Sequence, residues 1–269
     1  MNVHFWGVRG SVPVSGDRYR ETGGSTSCVE VTAADHRLIL DAGTGLRALG
    51  EQLGCRPLDL TLVFSHVHWD HIQGFPFFLP AFHPGSRLTL VGAPELAEAL
   101  NAQMRPPTFP LTLDQIPAAL EFKTLRPGCT LELGPFALSA ATLSHPDDVL
   151  AIRVAAEGRS VVYATDHEHG RTLDTGLVRF CEGTDLLIHD AQYTEEEYVG
   201  AAGPPRRGWG HSCWDEAVDV ARQASVGRLA LFHHDPARDD DGVARIEAMA
   251  AARLPGTVAA REGCRLPVG

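Results

Sequence analysis

Three imidazoles and one carboxylate stand within six positions in "LVFSHVHWDHIQG", residues 62–74: His66, His68, Asp70 and His71. They follow an apolar run that reads as a strand. Extended side chains two apart point to the same side, so His66 and His68 can grip one metal ion. A turn at Trp69 lets Asp70 and His71 fan toward a neighbouring position, where an oxygen and a nitrogen ligand suit a second zinc-like or manganese-like ion. A single histidine would read best as a surface or hydrogen-bonded ring. Four such groups behind a buried strand read as half of a two-metal cradle.

A metal cradle needs more ligands, and apolar strand ends farther along offer them. "TLSHP" carries His145, "VVYATDH" carries Asp166, and "LALFHHDP" carries His233 and His234. The elements that must position these residues are legible as runs of alternating or helical apolar spacing. The first third holds the strands "VHFWG", "CVEVTA", "RLILDAG" and "LTLVFS", with "GTGLRALGEQL" as a helix. In "GFPFFLPAFHPG", Pro76, Pro80 and Pro84 forbid a long regular helix, which leaves a packed apolar loop. "RLTLVG" is a strand and "PELAEALNAQM" a helix. "LEFKTL", "TLEL", "FALSAATLSH", "LAIRVAA" and "SVVYATD" then alternate as an antiparallel sheet does. Strand and helix take turns in the last third, with "DLLIHDAQY" and "RLALFHH" as strands, and "SCWDEAVDVARQA" and "DDGVARIEAMAAARL" as helices. Two halves, each strand-rich and then helical, fit a sheet sandwich flanked by helices.

With 269 residues, 44% of them hydrophobic and 21% charged, a single domain over residues 1–269 is expected. The formal net charge is -11 and no dense run of Lys or Arg occurs. Long nucleic acids are therefore not expected as substrates, whereas a metal or a few local arginines would still admit a small anion. No apolar run approaches membrane-spanning length, so a cytoplasmic protein without membrane attachment is expected. Six cysteines without a C-x-x-C pair, Cys213 among them, read as small buried hydrophobes rather than disulfides or a thiolate zinc site.

The H-x-H-x-D-H pattern of "HVHWDH", together with the ordered set from "LILDAG" to "LFHHDP", resembles the metallo-β-lactamase superfamily. The resemblance implies an α/β fold, the αββα sandwich of two mixed sheets flanked by helices, with a dinuclear site at one edge. It implies that His66, His68 and His145 bind the first metal, that Asp70, His71 and His233 bind the second, and that Asp166 bridges both. His233 is preferred to His234 by its place at the strand end. Asp41 in "LDAGTG" falls near the site without an evident ligand role. Two divalent ions are implied, zinc first, with manganese or iron as alternatives, and the family points to a homodimer.

"LLIHDAQYT", then "GHS" and "LFHHDP", is similar to the ribonuclease Z and small phosphodiesterase branch, in which an acidic residue and a histidine precede the last ligand. Asp190 and His211 match those places. A carboxylate on one imidazole nitrogen fixes the tautomer and leaves the other nitrogen for a phosphate oxygen. The catalytic set is then His211, Asp190 and Asp70, with His211 as proton donor. Ser212 is expected to cap the following helix. His189, on the opposite strand face from Asp190, is assigned to structure. His4, His36, His83, His167 and His169 are assigned to surface or packing roles. Only twenty residues separate His145 from Asp166, too few for the transfer-RNA-gripping arm of long-arm ribonuclease Z, which again directs the expectation to a small or cyclic phosphodiester. Metal-bound hydroxide would attack phosphorus in line. The rival readings are a lactonase or thioesterase on the same metals and a non-catalytic metal-binding protein. The two apolar loops, "GFPFFLPAF" and "MRPPTFPL", read as core packing or as a wall over the group attached to phosphate, with Arg105 for a second anion.

Overall fold

A computed structural model describes all 269 residues. Two seven-stranded sheets face each other. The first runs from edge to edge as Arg265–Pro267, Asn2–Gly7, Cys28–Ala33, His36–Leu40, Asp59–Val63, Arg87–Gly92 and Ala119–Thr124. Neighbours are antiparallel up to His36–Leu40 and parallel beyond it. The second sheet repeats that plan: Thr130–Leu133, Phe136–Leu143, Val149–Ala156, Arg159–Ala164, Leu186–Asp190, Arg228–Phe232 and Val258–Ala259, antiparallel up to Arg159–Ala164 and parallel beyond.

Alternation along the strands divides their side chains between two cores. Val3, Phe5, Val29, Val31, Leu38 and Leu40 meet Ile152, Val154, Tyr163, Ile188 and Phe232 of the facing sheet. Ile39, Leu60, Leu62 and Leu88 point outward instead, beneath helices Gly45–Leu53 and Leu96–Gln103. Leu46, Leu49 and Leu53, three and four apart, are the buried stripe of the first of these helices. Helices Thr175–Cys181, Trp214–Gln223 and Asp240–Arg253 cover the outer face of the second sheet. The result is the αββα sandwich. No helix is long and apolar enough to cross a membrane.

One strand departs from the expected pairing. Alternation groups "LEFKTL" with the antiparallel strands after it, yet Ala119–Thr124 is the parallel edge of the first sheet, paired with Arg87–Gly92. Alternation reports which faces a strand shows, not which neighbour it takes. The proline-rich stretch forms two short turns, Phe75–Phe77 and Leu79–Phe82, with Phe75, Phe78 and Ala81 buried while Phe77 and Leu79 stay exposed.

The parallel arrangement brings the carboxyl ends of Asp59–Val63, Arg159–Ala164, Leu186–Asp190 and Arg228–Phe232 to one rim. Phe136–Leu143, two antiparallel steps from Arg159–Ala164, ends in the same direction. Polar residues just beyond these strands therefore converge, as ligand sites do at the carboxyl ends of open α/β sheets.

Candidate metal centre

Each sequence-derived ligand lies in this convergence. His66, Asp70, His71, Asp166 and His233 are buried, whereas His68 and His145 lie at the rim. Of four groups whose candidate ligand atoms lie within 4.8 Å of one another, three consist of expected ligands alone: His66, His71 and Asp166; His68, His145 and Asp166; and Asp70, His71 and His233; the fourth joins Asp166 and His233 to Asp190 and His211. Asp166 is shared by the first two, and its Oδ1 also lies 3.2 Å from His233 Nε2. His234 does not join them, since its Nε2 meets the Ala260 carbonyl at 3.0 Å. The two adjacent rings part because His233 has φ 59°, which turns the chain at the strand end.

Hydrogen bonds leave one nitrogen of most rings free. His71 Nδ1 donates to Asp41 Oδ2 at 2.7 Å, and His233 Nδ1 donates to Gln192 Oε1 at 3.0 Å. The Ser65 hydroxyl donates to Asp41 at 2.8 Å, so at 3.0 Å it accepts from His66 Nδ1. His68 Nε2 donates to Asp147 at 2.8 Å, leaving Nδ1. These partners fix tautomers and ring planes, as the outer residues of metal sites do. His145 is held more loosely, its Nδ1 accepting from the Asp147 amide at 3.4 Å.

The donor set fits divalent cations. Buried His66 Nε2 and His71 Nε2 have no hydrogen-bond partner. His71 Nε2 stands 3.3 Å from both Asp70 Oδ2 and Asp166 Oδ1, and His233 Nε2 is 3.2 Å from the same two oxygens. Burial and the neighbouring His71 hold His66 well below the usual imidazole range, which favours the neutral ring a metal needs. Burial opposes a charge on His71 too, but Asp70, Asp166 and Asp41 outweigh it and carry the ring well above that range. Burial likewise opposes the charges of Asp70 and Asp166, and the surrounding imidazoles still hold both carboxyls well below the ordinary range. Carboxylates packed this way call for positive charge, which a bound cation supplies while leaving the rings neutral.

Beside the cluster stands the Asp190–His211 pair. Asp190, fully buried, accepts the Gln192 and Ser212 amides on Oδ1 and His211 Nδ1 on Oδ2, the last at 2.8 Å. Burial opposes protonation of His211, but the charge and hydrogen bond of Asp190 raise it to about 9. Its ring stacks 5.0 Å from His233 and lines a cleft of about 320 Å³ with His68, Asp70, His145 and Trp209. Ser212 does not cap the helix as expected. The helix starts at Trp214, where Glu216 accepts the Cys213 amide at 2.8 Å, and the Ser212 hydroxyl donates instead to the His167 carbonyl at 2.6 Å.

Sequence reading left Asp41 without a role and missed several other contributors. Asp41 accepts from the Ser65 amide and hydroxyl, His71 and Tyr163. The Ser11 amide donates to Asp70 at 2.7 Å, and a Cβ on Gly10 would sit 2.6 Å from the His233 ring, so the "RGS" turn must pass close to the site. Glu168 accepts the Tyr198 hydroxyl and the Gly208 and Gly210 amides, pinning the loop that carries Trp209 and His211. Asp147, Gln192 and Glu168 each stand two positions from a residue already singled out, the one local signal available. His167, His169 and His189 are buried together rather than spread over the surface, with His167 Nε2 donating to His169 Nδ1 at 3.0 Å.

Residues 36–234 match the family described as "Beta-lactamase superfamily domain". The chain belongs to this family. The relatives that it matches include ribonuclease Z proteins. Ribonuclease Z of Haloarcula marismortui is 25% identical, over 87% of this chain and 86% of that protein. The metallo-beta-lactamase fold protein YhfI from Bacillus subtilis shares the fold with a TM-score of 0.75 at 22% identity, covering 98% of each chain. The short form of human tRNase Z has a TM-score of 0.66 at 20% identity over the full length of both chains.

These similarities to ribonuclease Z overturn the expectation that long nucleic acids are excluded. A net charge of -11 averages over the whole chain and does not set the potential at one rim. Locally, the Arg206 guanidinium stands 5.0 Å over the Trp209 ring at the mouth of the cleft, and Arg207 is adjacent in sequence.

Proposed function

We propose that this metallo-β-lactamase-fold chain hydrolyses phosphodiesters, small or cyclic diesters being the substrates to try first. RNA, which the name of the ribonuclease Z relatives designates, presents the same bond. His66, His68, Asp70, His71, His145, Asp166 and His233 would hold two divalent ions, with zinc proposed first for an imidazole-rich set. Bound there, such ions supply Lewis acidity and lower the pKa of water toward neutrality.

The observation that carries this reading is the buried Asp190–His211 pair at the edge of the ligand cluster. Expelling an alkoxide from phosphorus needs a proton, and an imidazole whose Nδ1 is committed to a carboxylate offers Nε2–H to that oxygen. Asp190 keeps the tautomer, because its second oxygen is already tied to two backbone amides and cannot turn away. Trp69 and Trp209 line the cleft. Hydrolysis of a lactone, whose leaving group stays tethered, places less demand on such a pair.

The test is turnover of metal-replete protein on an activated phosphodiester, a cyclic nucleotide, a short RNA, a phosphomonoester, a lactone and a thioester. Preference for diesters, lost in His66→Ala, is the expected result. Preference for the lactone or thioester would overturn the proposal.

A further inference from the structure

A cavity of about 970 Å³ opens beside the metal centre, and Trp69 lines both spaces. Three aromatic side chains form its walls: Trp69 at 66% exposure, Phe77 at 56%, and Phe109, whose ring meets Phe77 edge to face at 5.8 Å. Rings that remain this open in a concave place of ligand size mark a surface built to be covered. Two amides stand among its polar groups, beside Ser25, Thr44, Thr108 and Arg47. The Gln103 Nε2 donates to the Ile72 carbonyl at 3.0 Å, and the Gln73 Nε2 to the Thr26 hydroxyl at 3.3 Å. Each amide is thus anchored through nitrogen, which leaves its oxygen free to accept. Arg47 also lines the space, but it is paired with Glu51 at 2.6 Å, and Arg105 is not part of the wall. Nothing here asks for a second phosphate.

We propose that this cavity is a base-binding subsite, which takes the flat, amino-bearing nucleobase of a nucleoside phosphodiester while its phosphate lies at the metal centre. The proposal rests on the phosphodiesterase reading and names its substrate class. Aromatic faces accept any base by stacking, and the two amide oxygens select bases that present N–H groups. An aliphatic group would leave those acceptors without partners. Continuity through Trp69, which directly precedes the ligand Asp70, is what ties this space to the reacting phosphate.

The test compares two diesters with a common leaving group, adenosine 5′-(p-nitrophenyl phosphate) and methyl p-nitrophenyl phosphate, on the metal-replete full chain. The adenosine ester should be favoured in kcat/KM by about tenfold or more, the size of one base stacking on a ring. Phe77→Ala and, separately, Gln103→Leu should each pull that ratio toward one. A second readout needs no turnover: adenosine alone should quench tryptophan fluorescence of metal-free protein, and Trp69→Phe should remove the quench. Quenching without turnover of either ester would sink the phosphodiesterase reading and leave base binding standing. Equal turnover of both esters without quenching would overturn the subsite and leave the phosphodiesterase reading. Equal turnover together with a dimer that dissociates in Phe77→Ala, seen by light scattering, would also overturn it and assign the cavity to a contact between two copies.

Discussion

Asp41 and Asp166 occupy matching places in the two sheets. Each comes just after the strand at which its sheet changes from antiparallel to parallel, and each has left-handed backbone, φ 59° and 54°. Aspartate tolerates that conformation better than most residues, so the turn itself explains neither its charge nor its use. What differs is the set of partners. Asp41 is saturated by the Ser65 amide, the Ser65 hydroxyl, His71 and Tyr163. Asp166 receives one hydroxyl, from Thr165, and otherwise faces three imidazoles at 3.2 to 3.6 Å. A carboxylate whose lone pairs are taken can only position its neighbours, whereas one left open can ligate. Evolution from a shared local geometry need not be invoked, since hydrogen-bond supply alone separates the two roles.

The sharpest way to break this comparison is Asp166→Asn, which preserves size and backbone tolerance and removes the charge. Metal content should fall below one equivalent and kcat/KM by about 10³-fold or more, while the chelated protein stays folded. Retained metal with activity within tenfold would remove Asp166 from the ligand set. The mirror substitution, Asp41→Ala, should instead cost about 3–5 kcal/mol of stability in denaturant titration, because buried donors lose their acceptor. Asp41→Asn should weaken metal binding by about 10- to 100-fold, since His71 loses the carboxylate that orients it. Unchanged stability in Asp41→Ala would mean that Asp41 is not the structural member of the pair.

The second half adds the Asp190–His211 pair, proposed above as the proton donor, for which the first has no counterpart. In His211→Ala, turnover of a diester with a poor leaving group should fall by about 10²-fold more than that of an activated one, with metal content retained. Equal losses on both substrates would end the acid role. Tyr163→Phe tests the link between halves, because its hydroxyl crosses from the second sheet to Asp41 at 2.7 Å. A loss of about 2 kcal/mol is expected, the size of a hydrogen bond to a charged group. No measurable loss would show that Asp41 is held by its own half alone.

The smallest effect concerns the residues just beyond each aspartate: Ala-Gly-Thr-Gly after Asp41, but buried histidines after Asp166. Burial, with His189 and His167 nearby, pushes His169 down to about 2. The unfolded chain therefore takes up that proton first as pH falls, and stability is lost from about pH 6.5 downward, by at most about 1.4 kcal/mol per pH unit. His169→Phe should flatten the dependence between about pH 6 and 5. An unaltered slope would place the acid sensitivity elsewhere.

Much of this was legible in the chain. Helix Gly45–Leu53 and the strand before His66 follow from apolar spacing, and the "HVHWDH" ligands could be grouped because six consecutive positions cannot separate far. Harder to read were Asp41 and Gln192, since an orienting residue carries no pattern of its own and shows its role only through the ring it touches. Phe77 and Phe109 read as core packing or as a wall, and Trp69 only as a turn; their meeting around one cavity depends on loops folding back from positions forty residues apart.

The sequence by itself determined the local facts: the periods of strands and helices, the short-range ligand cluster and the family motif that extends it. Tertiary structure alone decided which ring of His233 and His234 enters the site, that Ala119–Thr124 closes the first sheet, and that Asp41 orients while Asp166 faces the ligands. The physical reason is that periodicity is set within a few residues. Direction at a strand end, choice of neighbour and the satisfaction of a buried carboxylate depend on atoms that come from the other half of the chain.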